Sequence, residues 1–286
     1  MKRPGLVPLG EILRLAEERA VCVPAFDWGF GRPEFFEGIL AAARELAAPA
    51  VFLVWAGSCR RYGFRALVEM LTRAASRAGA KVALHLDHAD AEEDALEAVE
   101  AGFGSAMFDG AELPFEENVA RTRALVAQVH ARGALVEGSL GGIGREGVRS
   151  ETHSPTDPEA AARFVNLTGV DILAPSVGNR HGCRGFTVPL DWSLMERLRA
   201  SVPVPMALHG GSGIELADVA RAASFGFRKL NLVTKLQSAY DGAFASAARG
   251  PGGWREWSAA GARAVEAIAR QYLDALGLAG LAEALG

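Results

Sequence analysis

At 286 residues, half of them apolar, the chain is long enough to bury one large core and has the usual size of an α/β barrel. Its 30 Lys and Arg against 34 Asp and Glu give a net charge of −4, without the basic surplus that neutralises a nucleic-acid backbone. The apolar runs fall short of the roughly 20 residues of a membrane helix, and no basic segment followed by an apolar one opens the sequence. A cytoplasmic protein with no nucleic-acid or membrane partner is expected, as one domain over residues 1–286.

In chain order, Val21 to Phe26 predicts a strand and Pro33 to Leu46 an amphipathic helix. The alternation repeats with strand Ala50 to Trp55 and helix Phe64 to Ala78, then strand Val82 to Asp87 and helix Asp90 to Ala101. Strand Ser105 to Asp109 precedes helix Phe115 to Arg132, and strand Ala134 to Leu140 precedes helix Asp157 to Leu167. Strands follow at Val170 to Pro175, Pro205 to His209 and Arg228 to Val233, the last two each leading into a helix. After the turn Gly250-Pro251-Gly252-Gly253, the chain from Trp254 reads as additional helix. Eight β/α units favour a closed (β/α)8 TIM barrel over an open sheet. Cys22, Cys59 and Cys183 lack paired spacing and read as reduced thiols.

Three of the six histidines fall at or just beyond strand ends: His88 after the third strand, His181 after the sixth and His209 at the end of the seventh. Parallel barrel strands all end on one face, so these three can meet over the axis although far apart in sequence. A single histidine at a strand end is ordinarily structural. Three imidazoles with an open fourth position make a common catalytic zinc arrangement. His85 shares a strand side with Asp87 and reads as a packed residue in the lumen, while His130 and His153 receive no role. Asp87, next to a ligand, is placed either to transfer protons or to orient a histidine. Asp109 and Glu137 read as supports for the ligands at least as readily as direct participants. Gly210-Gly211-Ser212-Gly213 follows the seventh strand and Thr234 the eighth, where barrels bind phosphate through backbone amides and helix N-termini.

The motifs Val23-Pro24-Ala25-Phe26, His85-Leu86-Asp87-His88, Met107-Phe108-Asp109-Gly110, Leu140-Gly141-Gly142-Ile143-Gly144, His181-Gly182, Leu208-His209-Gly210-Gly211-Ser212-Gly213 and Lys229-Leu230-Asn231 stand in an order spanning nearly the whole chain. The sequence resembles the class II, metal-dependent fructose-bisphosphate and tagatose-bisphosphate aldolases. That resemblance implies zinc, or another divalent metal, on His88, His181 and His209, with Asp87 as proton donor and acceptor. It further implies that Asn231 contacts the enediolate and that Gly182, Gly210, Gly211, Ser212 and Thr234 line a phosphate pocket. Glu146 is the nearest counterpart of the family's mobile-loop glutamate. A phosphorylated sugar substrate and a homodimer or homotetramer are implied as well.

Four departures bear on the substrate. Ser139 stands where the family commonly has a second glutamate on the fifth strand, and the acidic pair of the following loop is not evident in Gly144-Arg145-Glu146-Gly147. Cys183-Arg184-Gly185 replaces a Tyr-Lys pair, leaving Arg184 to pair with a phosphate or carboxylate or to stand solvated. Leu53 and Trp55 replace small polar residues, and the indole either reshapes the pocket or packs between strand and helix. These changes put the usual bisphosphate in doubt more than the metal. The expected activity is therefore aldol cleavage of a ketose phosphate, with a metal-dependent isomerase or epimerase, or a non-catalytic aldolase-like partner subunit, as alternatives.

Overall fold

The computed structural model describes residues 4–142 and 154–285. Eight parallel strands close on themselves in sequence order: β1 (Val23–Asp27), β2 (Ala50–Trp55), β3 (Val82–Ala89), β4 (Ser105–Phe108), β5 (Leu135–Leu140), β6 (Ile172–Pro175), β7 (Met206–Leu208) and β8 (Phe227–Leu232). The expected TIM barrel is present, with strand ends within two residues of the predicted ones. β3 is the element that runs furthest past its predicted end, continuing through His88 to Ala89.

Around the barrel lie α1 (Leu9–Arg19), α2 (Pro33–Glu45), α3 (Ala56–Tyr62), α4 (Phe64–Ala78), α5 (Glu92–Ala101), α6 (Phe115–His130), α7 (Pro158–Thr168), α8 (Trp192–Ser201), α9 (Leu216–Ala222), α10 (Thr234–Ala248) and α11 (Trp254–Ala275). The strand segments are buried on both faces, which is why they read as continuous apolar runs rather than alternating ones. Each fully buried Val, Leu, Ile or Phe contributes ~1.5–3 kcal/mol of transfer free energy. Helix α1 sits against the strands' N-terminal ends: Val7 N–H donates to the Val82 carbonyl at 2.9 Å, and Leu9 and Ile12 are fully buried. The active face is thus left to the opposite end.

The predicted C-terminal helix is α11, which packs on α2 and α10. Gly38 of α2 allows that approach, since a Cβ there would lie 2.7 Å from the Ala262 carbonyl oxygen. Among the described residues no helix is long and apolar enough to cross a membrane. Cys22, Cys59 and Cys183 are free and buried, as the spacing predicts.

Candidate active site

Alternate residues of β3, β5 and β8 meet across the lumen, in keeping with the two-residue period of a strand. In the deeper layer His85 Nδ1 pairs with Ser105 Oγ at 2.8 Å, and Lys229 Nζ lies 2.9 Å from Glu137 Oε2. Nearer the mouth, Lys229 Nζ donates to Asn231 Oδ1 at 2.7 Å, and Asn231 Nδ2 donates to Asp87 Oδ1 at 3.0 Å. His85 is fully buried, as the sequence predicts, and burial lowers its pKa to about 3.

His88, His181 and His209 converge above these layers, with one ligand nitrogen of each lying within 4.8 Å of the others. The local backbone explains how three distant residues reach one point. His88 has φ 50°, and the β3–β4 register shifts between Leu86 and Ala89. This bulge turns the imidazole inward at a backbone cost of about 1–3 kcal/mol. Asn179 ties the β6 loop to the end of β7: its side chain accepts from Val177 N–H at 2.8 Å and donates to the His209 carbonyl at 3.1 Å. Gly210 makes that approach possible, because it has φ 67° and a Cβ there would lie 2.2 Å from the Arg180 carbonyl oxygen.

Carboxylates fix two of the three rings. His88 Nδ1 is 2.7 Å from Asp109 Oδ2, and His209 Nε2 is 2.7 Å from Glu137 Oε1. A carboxylate only accepts, so each of those nitrogens donates, and His88 Nε2 and His209 Nδ1 are the nitrogens left for a metal. His181 Nε2 is buried with no hydrogen-bond partner. Burial, with His88 and His209 nearby, lowers the His181 pKa to about 3, which keeps the ring neutral. Three imidazoles, two oriented by carboxylates and one with an orphaned nitrogen, form a donor set that could hold a borderline divalent cation.

The carboxylates differ in charge state. Burial works to raise the Asp87 carboxyl, but His88, His209, Lys229 and His85 outweigh it and bring it below its ordinary value. Burial likewise opposes ionisation of Glu137, which the Lys229 ammonium and the His209 hydrogen bond hold well below the carboxylate range. Asp27 goes the other way: burial raises it to about 7 against hydrogen bonds from Gly29 N–H and Gln237 Nε2.

The Gly210–Gly213 segment turns against the start of α10, where Ser212 Oγ accepts from Lys235 N–H at 2.9 Å. Gly211 has no room for a side chain, since a Cβ would lie 2.4 Å from Leu230 Cδ1. Thr234, the first residue of α10, is buried, Gly182 is half-buried, and Arg184 lies exposed on the loop after β6. Glu146 and His153 lie outside the described residues. His130 pairs with Asp171 on the surface at 2.8 Å. Ser139, expected from the sequence to stand in place of a carboxylate, donates to Asp109 Oδ1 at 2.8 Å behind His88.

A cavity of about 470 Å³ opens beside Asp87, His88 and His181, and its wall includes Asp27, Phe30 and Gln237, which the sequence reading did not single out. Asp27 was within reach of the strand-end rule. The predicted first strand stops at Phe26, whereas β1 ends one residue later, on Asp27.

Comparisons with known proteins agree with this geometry. The family model for class II fructose-bisphosphate aldolase matches residues 7–281. A probable fructose-bisphosphate aldolase of Bacillus subtilis is 36% identical over 237 residues, covering 81% of this chain and 82% of the relative. The crystal structure of the YdjI aldolase of Escherichia coli K12 superimposes with a TM-score of 0.85 at 29% identity, covering 97% of this chain and 99% of that one. A putative fructose-1,6-bisphosphate aldolase of Coccidioides immitis gives 0.86 at 28% identity, covering 96% and 97%. With its barrel, its converging histidines and a match over nearly its whole length, the chain belongs to the class II fructose-bisphosphate aldolase family, the metal-dependent carbon–carbon lyases.

Proposed function

We propose that this aldolase cleaves a ketose phosphate into a dihydroxyacetone-phosphate-like fragment and an aldehyde, using a zinc ion held by His88, His181 and His209. The observation that carries this reading is the convergence of three imidazoles at the barrel mouth, beside an Asp87 carboxyl held below its ordinary value. A divalent cation bound there supplies a Lewis acid toward a ketone oxygen and its neighbouring hydroxyl.

Asp87 accepts the proton of the hydroxyl on the carbon that becomes the aldehyde, and its low pKa keeps it ready to do so. The adjacent carbon–carbon bond then breaks, the aldehyde forms, and the bonding pair passes into the ketone half, which takes up a proton at carbon. Glu146 is the proposed source of that proton. Asn231 holds Asp87 through its amide and contacts the ketone half, while Lys229 fixes the amide's orientation. Gly182, Gly210, Gly211, Ser212 and Thr234 take the phosphate through backbone amides and hydroxyls, with Arg184 as an additional cation.

Family membership favours cleavage over isomerisation, epimerisation or a non-catalytic role. The eight-strand closure supports reading residues 1–286 as one barrel domain, and a homodimer or homotetramer completes the proposal.

The test is metal content and retro-aldol cleavage of a panel of ketose mono- and bisphosphates, measured on the wild type and on His181→Ala. His181 lies on a loop, so its removal spares the core. Stoichiometric zinc and metal-dependent release of aldehyde are expected, with metal lost and cleavage reduced ~10³-fold or more in the variant. Well-folded wild type without metal, or conversion of substrate with no aldehyde product, would overturn the reading.

A further inference from the structure

The cavity at the barrel mouth has two unlike sides. On one side lie Asp87 and His88 of β3, His181 of the loop after β6, and Val233 beyond β8. Toward β1 and β2 the wall is Phe30, Leu53 and Trp55, with Asp27 and Asp90 beside it. Trp55 pairs in register with Asp87, so this wall adjoins the carboxylate proposed to serve the aldehyde-forming carbon.

The wall is built rather than incidental. The indole lies across Gly57, where an added Cβ would be 2.4 Å from Trp55 Cη2, and meets Phe30 edge-on at 6.0 Å. Phe30 has φ 51°, a conformation costly for an aromatic residue, so its placement is held by its surroundings. Both residues stay exposed, Trp55 by 46% and Phe30 by 40%, while lining the cavity, where a ligand could cover them.

Charge makes the same distinction. Among the described residues lining the cavity are the carboxylates of Asp27, Asp87 and Asp90, and no lysine or arginine. Arg60, on the helix after Trp55, is committed to Asp90 and Asp94, and Arg32 to Asp241 at 3.0 Å. A phosphate dianion placed here would meet the Asp87 carboxylate and lose hydration, with the neighbouring guanidiniums of Arg60 and Arg32 already committed to carboxylates. An apolar chain would instead cover aromatic surface that water now wets.

We propose that the β1–β2 side of the mouth binds the aldehyde half of the substrate, and that Trp55 and Phe30 select an unphosphorylated aldehyde with an apolar body. This rests on the aldolase reading above and adds the chemistry of the second fragment.

The experiment has two arms. Exchange of solvent deuterium into dihydroxyacetone phosphate by the wild-type holoenzyme needs no aldehyde and tests the aldolase reading itself. Absence of exchange removes that reading and this inference with it. In the second arm, kcat/KM for condensation of dihydroxyacetone phosphate with butanal and with glyceraldehyde 3-phosphate is measured on the wild type, Trp55→Ser, Trp55→Phe and Phe30→Ala. The wild type should favour butanal, and the ratio should fall about tenfold or more in Trp55→Ser, chiefly through KM for the aldehyde. Trp55→Phe should keep most of it, and Phe30→Ala should lower it in the same direction. Preference of the wild type for glyceraldehyde 3-phosphate overturns the proposal. So does an unchanged ratio in Trp55→Ser, including the case where native mass drops because the rings pack against a second copy of the chain.

Discussion

The two sides of the barrel mouth hold their residues by different means. On the β3–β8 side, polar groups hold one another: Asp109 orients His88, Glu137 orients His209, and Lys229 and Asn231 link Glu137 to Asp87. Toward β1 and β2 the surface is aromatic, open and shaped by ring packing. A buried polar network tolerates little change, because a group left without its partner bears its full desolvation cost. An exposed apolar wall can vary at small cost. On this physical ground, substitution at Trp55 should disturb the fold less than substitution within the His209–Glu137–Lys229 network.

The sharpest way to break the comparison is Asp87→Asn. If Asp87 moves the proton, kcat falls by ~10²–10⁴ with metal content retained. Loss of metal in this variant would instead make Asp87 part of the metal's support, and unaltered turnover would remove it from the chemistry.

Asp27, on the boundary between the two sides, sharpens the comparison through pH. Its folded-state pKa of about 7 lies above the ordinary carboxylate value, so the folded protein holds this proton more tightly than the unfolded chain. Asp87 and Arg32 are the charged groups that act on it, and Gln237 donates to it. The contribution to stability is therefore intact below about pH 4, declines as pH rises toward 7, and stays lost above it. Asp27→Asn lacks this titration. By urea unfolding it should match the wild type near pH 4.5 and exceed it at pH 8 by on the order of 2–4 kcal/mol. Equal stabilities at both pH values would show that the carboxylate is better solvated than its burial indicates.

Glu137→Gln tests the network at the smallest cost to its shape. The amide oxygen can still accept from His209 Nε2–H, but the charge that balances Lys229 is gone. Metal affinity, read by competition with a chelator, should drop ~10–100-fold. An unaltered affinity would mean that the polar side is less coupled than its hydrogen bonds suggest.

Much of the chemistry was legible along the chain because the barrel converts sequence position into spatial position. A residue at the C-terminal end of any strand arrives at one face, so His88, His209 and Asp87 could be read from strand ends. The same rule was one residue short at β1, and Asp27 was missed. Lys229 and Glu137 stood out less, since their pairing crosses the barrel between β5 and β8 and no local pattern marks it. Ser139, which reads in sequence as a lost carboxylate, turns out to brace Asp109.

By itself, then, the sequence determined the alternation of strands and helices, the closed barrel and the three histidines, because these depend on apolar periodicity and on residues fixed to strand ends. The family resemblance rested on the ordered motifs. Only the tertiary structure decided which nitrogens of His88 and His209 pair with carboxylates, how the β3 bulge turns His88 inward, and how Asn179 and Gly210 bring the β6 and β7 loops together. It also decided that Trp55 faces the cavity rather than packing between strand and helix. Those outcomes depend on contacts between residues tens of positions apart, and such contacts exist only once the barrel has closed.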